Sequence, residues 1–244
     1  MSNFLGLALD SVRRNALDAA RRALPQRCEL CAAPSGAELL CSACVRALPR
    51  LGPACPICAL PNPRGEICGR CVTEPPPFDA TVAAFAYAFP VDRLMHAFKY
   101  HGRLALAEWA AGAILDERAR RGATLRPDRL VALPLSHERQ RERGYNQAYE
   151  IARVLSRCLR IPLLRHGIRR DRASPPQTAL PWDQRAKNVR GAFACELDLS
   201  GMRVAVVDDV MTTGASLAEL ARVLVAAGAS GIENWVVART LPPR

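Results

Sequence analysis

Two sets of residues in this chain have the types and spacing to do chemistry. The first is the run Arg203-Val204-Ala205-Val206-Val207-Asp208-Asp209-Val210-Met211-Thr212-Thr213-Gly214-Ala215-Ser216-Leu217. It hands two adjacent carboxylates, Asp208 and Asp209, to a small turn rich in hydroxyls. Such a turn at a helix start offers unpaired N–H groups and little bulk, so a phosphate can approach closely. The acids would repel that phosphate. They suit a sugar's vicinal hydroxyls, or positive charge developing on a sugar ring during reaction. A phosphate on one side and a diol on the other describe a ribose 5-phosphate. There is no P-loop lysine and no G-x-G-x-x-G turn, which excludes the common nucleotide motifs.

The second set is eight of the ten cysteines, placed as four C-x-x-C pairs: Cys28/Cys31, Cys41/Cys44, Cys55/Cys58 and Cys68/Cys71. Each pair points two thiolates at one centre, and two pairs complete a tetrahedral Cys₄ shell. Consecutive pairing gives two zinc ribbons, the first using Cys28, Cys31, Cys41 and Cys44, the second Cys55, Cys58, Cys68 and Cys71. Spacing alone also permits interleaved pairing. Eight ligands saturate two Zn²⁺ ions and leave no open position for a catalytic water, so both sites are expected to be structural. The remaining Cys158 and Cys195 are read as small core fillers, and no Ser-His-Asp or Cys-His constellation is present.

The elements that must position these residues follow from periodicity. Val204–Val207 reads as a strand buried on both faces, Ala215 to about Ala227 as an amphipathic helix stopped by Gly228, and Ile232–Ala238 as the next strand. This is a βαβ unit, and ligands in such sheets bind outside the carboxyl ends of the strands. Leu130–Leu135 is a second buried strand. Behind it Ser136 opens a helix reaching Leu159, and Arg139, Arg141 and Arg143 precede Gly144 where a second anion could be held. Upstream, Ala80–Phe89 reads as strand and Pro90–Tyr100 and Leu104–Arg121 as helices. Residues 173–182 carry three prolines and no apolar period, which predicts a loop, and Phe193–Leu199 predicts an edge strand. Residues 3–24 place apolar side chains at helical spacing and end at Pro25; this helix is read as docking on the fold. His96 and His101 are read as packing or surface residues.

Composition bounds the rest. With 244 residues, half of them hydrophobic, the chain has room for one large core and a small module. No apolar run approaches the ~18 residues of a membrane span, and the charges within 4–24 exclude a secretory leader there. The expected location is cytoplasmic. Two Zn²⁺ on eight thiolates reduce the formal charge of +11 to roughly +7. That favours phosphate-rich partners, although 32 of the 34 basic residues are Arg in an Ala-rich chain, a bias that genome composition also produces.

The run VAVVDDVMTTGAS resembles the signature of type I phosphoribosyltransferases, which bind phosphoribosyl pyrophosphate (PRPP). With the cysteine-rich front half, the whole chain resembles the ComF (ComFC-like) proteins tied to natural transformation. The resemblance implies an α/β fold: a phosphoribosyltransferase-type, mostly parallel sheet flanked by helices, with a small N-terminal zinc-ribbon module. The implied organisation is an amphipathic helix over 1–26, a double zinc ribbon over 27–75 and the phosphoribosyltransferase-like domain over 78–244. It makes Asp208 and Asp209 the catalytic acids and Met211, Thr212, Thr213, Gly214, Ala215 and Ser216 the 5′-phosphate loop. It assigns Arg141, Arg143, Asn146 and Gln147 (in R-x-R-G-Y-N-Q-A) and Lys99 (in F-K-Y-x-G) to pyrophosphate or another anion. Arg172, Gln177, Arg185 and Asn188 would form a lid, and Mg²⁺ would accompany PRPP. Three functions fit: a phosphoribosyltransferase with an unidentified acceptor, a non-catalytic PRPP-sensing or single-stranded-DNA-handling competence protein, or a zinc-ribbon adaptor with a decayed site.

Overall fold

The computed structural model describes residues 26–122, 126–171 and 190–242. The helix expected over 3–24 and the candidate lid residues Arg172, Gln177, Arg185 and Asn188 lie outside the described residues. The chain divides into two compact units, Met1–Leu48 and Pro49–Arg244.

In the first unit, β1 (Gln26–Arg27) pairs antiparallel with β2 (Pro34–Gly36). The turn between them is a knuckle: the Cys28 N–H donates to the Ala33 carbonyl (2.8 Å) and the Ala32 N–H to the Cys28 carbonyl (2.9 Å). Cys41 caps the short helix α1 (Ser42–Arg46), which carries Cys44. The second unit repeats the device. The Ala59 N–H closes onto the Cys55 carbonyl (2.9 Å), and Cys68 caps α2 (Gly69–Thr73), which carries Cys71. Pairing is therefore consecutive: the sulfurs of Cys28, Cys31, Cys41 and Cys44 lie within 4.8 Å of one another, as do those of Cys55, Cys58, Cys68 and Cys71. Sulfur–sulfur separations of 3.6 Å for Cys31–Cys41 and Cys58–Cys68 match the roughly 3.8 Å edge of a tetrahedron with Zn–S bonds of about 2.3 Å. The donor sets fit structural zinc.

The rest of the second unit alternates strands and helices: β3 (Ala80–Ala86), α3 (Val91–Tyr100), α4 (Leu106–Arg120), β4 (Arg129–Ala132), α5 (His137–Arg143), α6 (Gln147–Leu159), β5 (Leu163–Leu164), β6 (Ile168–Arg170), β7 (Phe193–Cys195), β8 (Arg203–Met211), α7 (Ala215–Ala226) and β9 (Gly231–Arg239). Five strands form one sheet in the order β3-β9-β8-β4-β5, and every pairing in it is parallel. The continuous Val run of β8 sits at the centre because a strand covered on both faces has no polar side to show; Val204 to Val207 are all 1% exposed or less. The β8–α7–β9 connection is the expected βαβ unit.

Four local features differ from the sequence reading. β4 ends at Ala132, two residues before Pro134, which has no N–H to give a ladder. The single helix expected from Ser136 to Leu159 is two helices, because Gly144 adopts a left-handed conformation (φ 76°) that closes α5. Phe193–Cys195 does not join the main sheet but pairs antiparallel with β6. Cys158 is exposed on α6 rather than a core filler, whereas Cys195 packs against the core. Among the described residues, no helix is long and apolar enough to cross a membrane.

Because the second cluster belongs to the sheet-containing unit, the two sites should respond differently to loss of a ligand. Cys31→Ser and Cys58→Ser should each lower zinc from two to one equivalent per chain by elemental analysis. Only Cys58→Ser should lower the thermal midpoint of the sheet unit, by on the order of 5 °C or more, given the folding energy that structural zinc supplies.

Candidate functional site

The carboxyl ends of β3, β8 and β4 open into one cleft with a cavity volume of about 590 Å³, the place a parallel sheet with flanking helices reserves for a ligand. Its floor is the end of β8. Asp209 is buried and Asp208 half-buried. Each carboxylate uses one oxygen to accept the next residue's N–H: Asp209 N–H to Asp208 Oδ1 and Val210 N–H to Asp209 Oδ1, both 2.8 Å. The second oxygen of Asp209 meets the Lys99 ammonium at 2.7 Å.

This ion pair splits the two acids. Burial alone would raise Asp209, but Lys99, with help from Arg143, outweighs it and holds the carboxyl below its ordinary range. Burial pushes Asp208 well up, and the Asp209 charge adds to the rise; its partial opening to the cleft moderates the size, not the direction. Burial would lower Lys99, yet Asp209 keeps it raised and charged. Lys99 lies in the last turn of α3, which is held from the α5–α6 junction by the Tyr145 hydroxyl donating to the Phe98 carbonyl.

Beyond the acids the chain turns into α7. Gly214 has φ +84°, and a Cβ there would lie 2.5 Å from Met211 Cε, so glycine is needed both for the backbone and for Met211, which is buried beneath it. The Ala215 N–H is engaged by Thr213 Oγ1 at 3.3 Å. The N–H groups of Thr213, Gly214 and Ser216 have no protein acceptor among the described residues. Thr212, Gly214, Ala215 and Ser216 line the cleft, whereas Thr213 borders a second cavity behind the turn.

The cationic side of the cleft comes from α5 and β6. Arg139 and Arg143 line it; Arg141 is exposed and does not. In a helix, residues four apart share a face and residues two apart do not. Arg143 donates to Gln147 Oε1 (3.1 Å) and stacks on the Tyr100 ring at 5.3 Å. Asn146 caps α6 by accepting the Tyr149 N–H and donates to the Leu133 carbonyl at the end of β4 (3.0 Å). Asn146 and Gln147 therefore stand behind the wall and hold it in place.

Several lining residues were not among the sequence candidates. Arg170 is 8% exposed and lines the cleft; burial and nearby Arg139 lower its pKa while Asp208 opposes them. Nothing in its local sequence marks it. Arg139 was legible in principle from its four-residue spacing to Arg143. Tyr87, which follows β3, and His96, on the face of α3 that carries Lys99, also border the cleft. Arg239 is buried behind the turn, and an arginine ending the apolar strand Ile232–Ala238 was the available signal.

The fold and site define a class: an α/β protein with a parallel sheet, an acid pair and amide turn at its mouth, and two four-cysteine zinc sites. Residues 19–72 match the double zinc ribbon domain family. The chain is 37% identical over 171 residues to DNA utilization protein YhgH of Escherichia coli (strain K12), covering 69% of this chain and 75% of that protein. It is 33% identical over 171 residues to competence protein F of Haemophilus influenzae, covering 67% and 74%. Among solved structures, a purine phosphoribosyltransferase from Pyrococcus horikoshii superposes with a TM-score of 0.29 at 20% identity, over 65% of this chain and 78% of that one. The fold assignment rests on this chain's own topology. The chain belongs to the ComF family, together with YhgH and competence protein F.

The two acids should answer substitution in opposite directions. Asp208→Asn removes a carboxyl whose charge burial and the neighbouring Asp209 disfavour, and should leave the thermal midpoint unchanged or raise it at neutral pH. Asp209→Asn strands the Lys99 ammonium and should cost on the order of 1–3 kcal/mol of stability in urea unfolding. Because Asp209 is depressed, its contribution is present above the unfolded carboxylate pKa and disappears as pH falls through the folded value, so the deficit of Asp209→Asn should shrink toward acid pH.

Proposed function

We propose that the cleft binds PRPP with Mg²⁺ and transfers its phosphoribosyl group to a nucleophile. The observation that carries this reading is the placement, in one cleft, of an acid pair, an amide turn and an arginine wall. The free N–H groups of Thr213, Gly214 and Ser216, with the hydroxyls around them, suit the 5′-phosphate. Arg139, Arg143 and Arg170 suit the pyrophosphate. The acids suit the ribose hydroxyls.

The C1–oxygen bond breaks as pyrophosphate leaves with the electron pair, and the nucleophile closes on C1 from the opposite face. Asp208 and Asp209 sit where carboxylates stabilise the positive charge on the ring. The acids are oxygen donors suited to Mg²⁺, which supplies charge neutralisation to the leaving group. Asp209 already gives one oxygen to Lys99, so Asp208 and the remaining oxygen of Asp209 are the groups that would hold Mg²⁺. Arg172, Gln177, Arg185 and Asn188 remain the proposed lid, and the helix over 1–26, the ribbon over 27–75 and the body over 78–244 the proposed division of the chain. The names of the relatives assign those proteins to DNA utilization and competence, and we infer the same setting, DNA uptake in a cytoplasmic location, for this chain.

Those names also favour a second reading, in which the basic wall and the zinc ribbons hold single-stranded DNA and the acids do no chemistry. Calorimetry with PRPP and Mg²⁺ separates the two. Wild type should give saturable heat, and the Asp208→Asn/Asp209→Asn double variant should lose at least tenfold in affinity. No heat from wild type would sink the ligand assignment. If oligonucleotide binding survives the double variant but weakens steeply with salt and on Arg139→Ala, the DNA reading stands instead.

A further inference from the structure

Arg239, the last residue of β9, is only 1% exposed. A guanidinium that deep has to give its donors to protein acceptors, and this one gives them to two different places. Its Nε donates to the Cys58 carbonyl at 2.8 Å. Its Nη1 donates to the carbonyls of Met211 (3.1 Å), Thr212 and Thr240 (2.9 Å). An arginine keeps its charge at neutral pH even when buried.

The consequence follows from peptide planarity. In a trans peptide the C=O and the following N–H point in opposite directions. Drawing the Met211 and Thr212 carbonyls toward Arg239 aims the Thr212 and Thr213 N–H groups away from it, as an anion-binding turn requires. The same logic acts on the knuckle. With the Cys58 carbonyl turned to Arg239, the Ala59 N–H is left facing the Cys55 carbonyl, the 2.9 Å bond that closes the C-x-x-C turn. Between knuckle and turn lies a cavity of about 410 Å³, bordered by Cys58, Cys71, Met211, Gly214 and Arg239. The guanidinium bridges that gap, beside the packing of Ala59 into the core cluster that also holds Met211.

We infer that Arg239 is a positioning residue that couples the second cysteine cluster to the phosphate turn, so that zinc at Cys55, Cys58, Cys68 and Cys71 and an anion at the turn each tighten the hold on the other. The inference rests on the reading of the turn as an anion site. Reciprocity is obligatory for such a coupling, so it can be read from the zinc side without any measure of activity.

The test uses full-length Cys31→Ser protein, in which the second cluster is expected to hold the one zinc, and measures the equilibrium partition of zinc to a chromogenic chelator with and without saturating PRPP and Mg²⁺. PRPP should raise the zinc affinity by about fivefold or more. Arg239→Lys, which keeps the charge but not the fork of donors, should weaken ligand-free zinc binding and abolish most of the gain. Calorimetry on the same samples separates the possible failures. If PRPP binds and the zinc affinity does not change, the coupling is overturned while the ligand reading stands. If PRPP does not bind, the ligand reading falls, and the ligand-free affinity decides the rest. Weaker zinc binding by Arg239→Lys supports the link to the knuckle, and equal affinities overturn it.

Discussion

The Lys99–Asp209 contact makes it possible for a buried strand to end in two acids. Two carboxylates side by side at the mouth of an apolar sheet would each lose hydration and repel the other. Lys99 compensates one of them directly by pairing with Asp209, and burial, with the Asp209 charge beside it, shifts the Asp208 pKa upward. The pair also fixes α3 over the carboxyl end of β8, since the ammonium can reach Asp209 only from the last turn of that helix. Tyr145 then ties α3 to the junction that presents Arg143. Acid, lysine and arginine wall are thus parts of one connected arrangement, and a change in any of them should be felt by the others.

The opposite side of the turn is organised the same way, with a buried cation holding carbonyls instead of carboxylates. Lys99 works from the cleft and Arg239 from behind, and the strand end and turn they grip lie between. This accounts for a backbone that leaves amide groups unpaired. Unpaired N–H groups are costly when buried, but the conformation is imposed by Gly214, by Met211 beneath it and by Arg239 on the adjoining carbonyls. Gly214 and Ser216 line a cleft open to water, where the cost of an unpaired amide is small until a ligand replaces that water.

Much of this was legible in the sequence, and the limits have physical causes. The Val run, the acid pair, the turn and α7 were readable because strand, turn and helix follow one another without interruption and each carries its own signal. Cysteine spacing announced the zinc sites, although only the fold could show that pairing is consecutive. The arginines were harder. Arg141 and Arg143 were the candidates within a stretch already read as helical, yet two residues apart on a helix they cannot share a face. In α5, Arg139 and Arg143 line the cleft and Arg141 turns outward. Asn146 and Gln147 were legible as polar residues near the site but not as the supports they are, since capping depends on where Gly144 breaks the helix. Arg170 reaches the cleft through a two-stranded ribbon, and no local pattern encodes that.

The mixture of charge in the cleft narrows what suits it. The turn is one place for an anion and the guanidinium groups of Arg139, Arg143 and Arg170 are the other. Asp208 and Asp209 share the cleft with both, and Glu138 and Glu142 line it beside the arginines. Two independent anions could fill both places, but they would leave the acids facing negative charge with nothing between. A single ligand with anionic ends and a hydroxyl-bearing centre removes that frustration, because its hydroxyls lie between the phosphates and give the acids donors. A DNA strand also alternates phosphate and sugar, but deoxyribose lacks the 2′-hydroxyl, and its 3′-oxygen is bound in the next phosphodiester, so the acids would gain no donor from it. The acid pair is thus the element that separates a phosphorylated ribose from a generic polyanion, and it is also the element to which the fold commits a buried lysine.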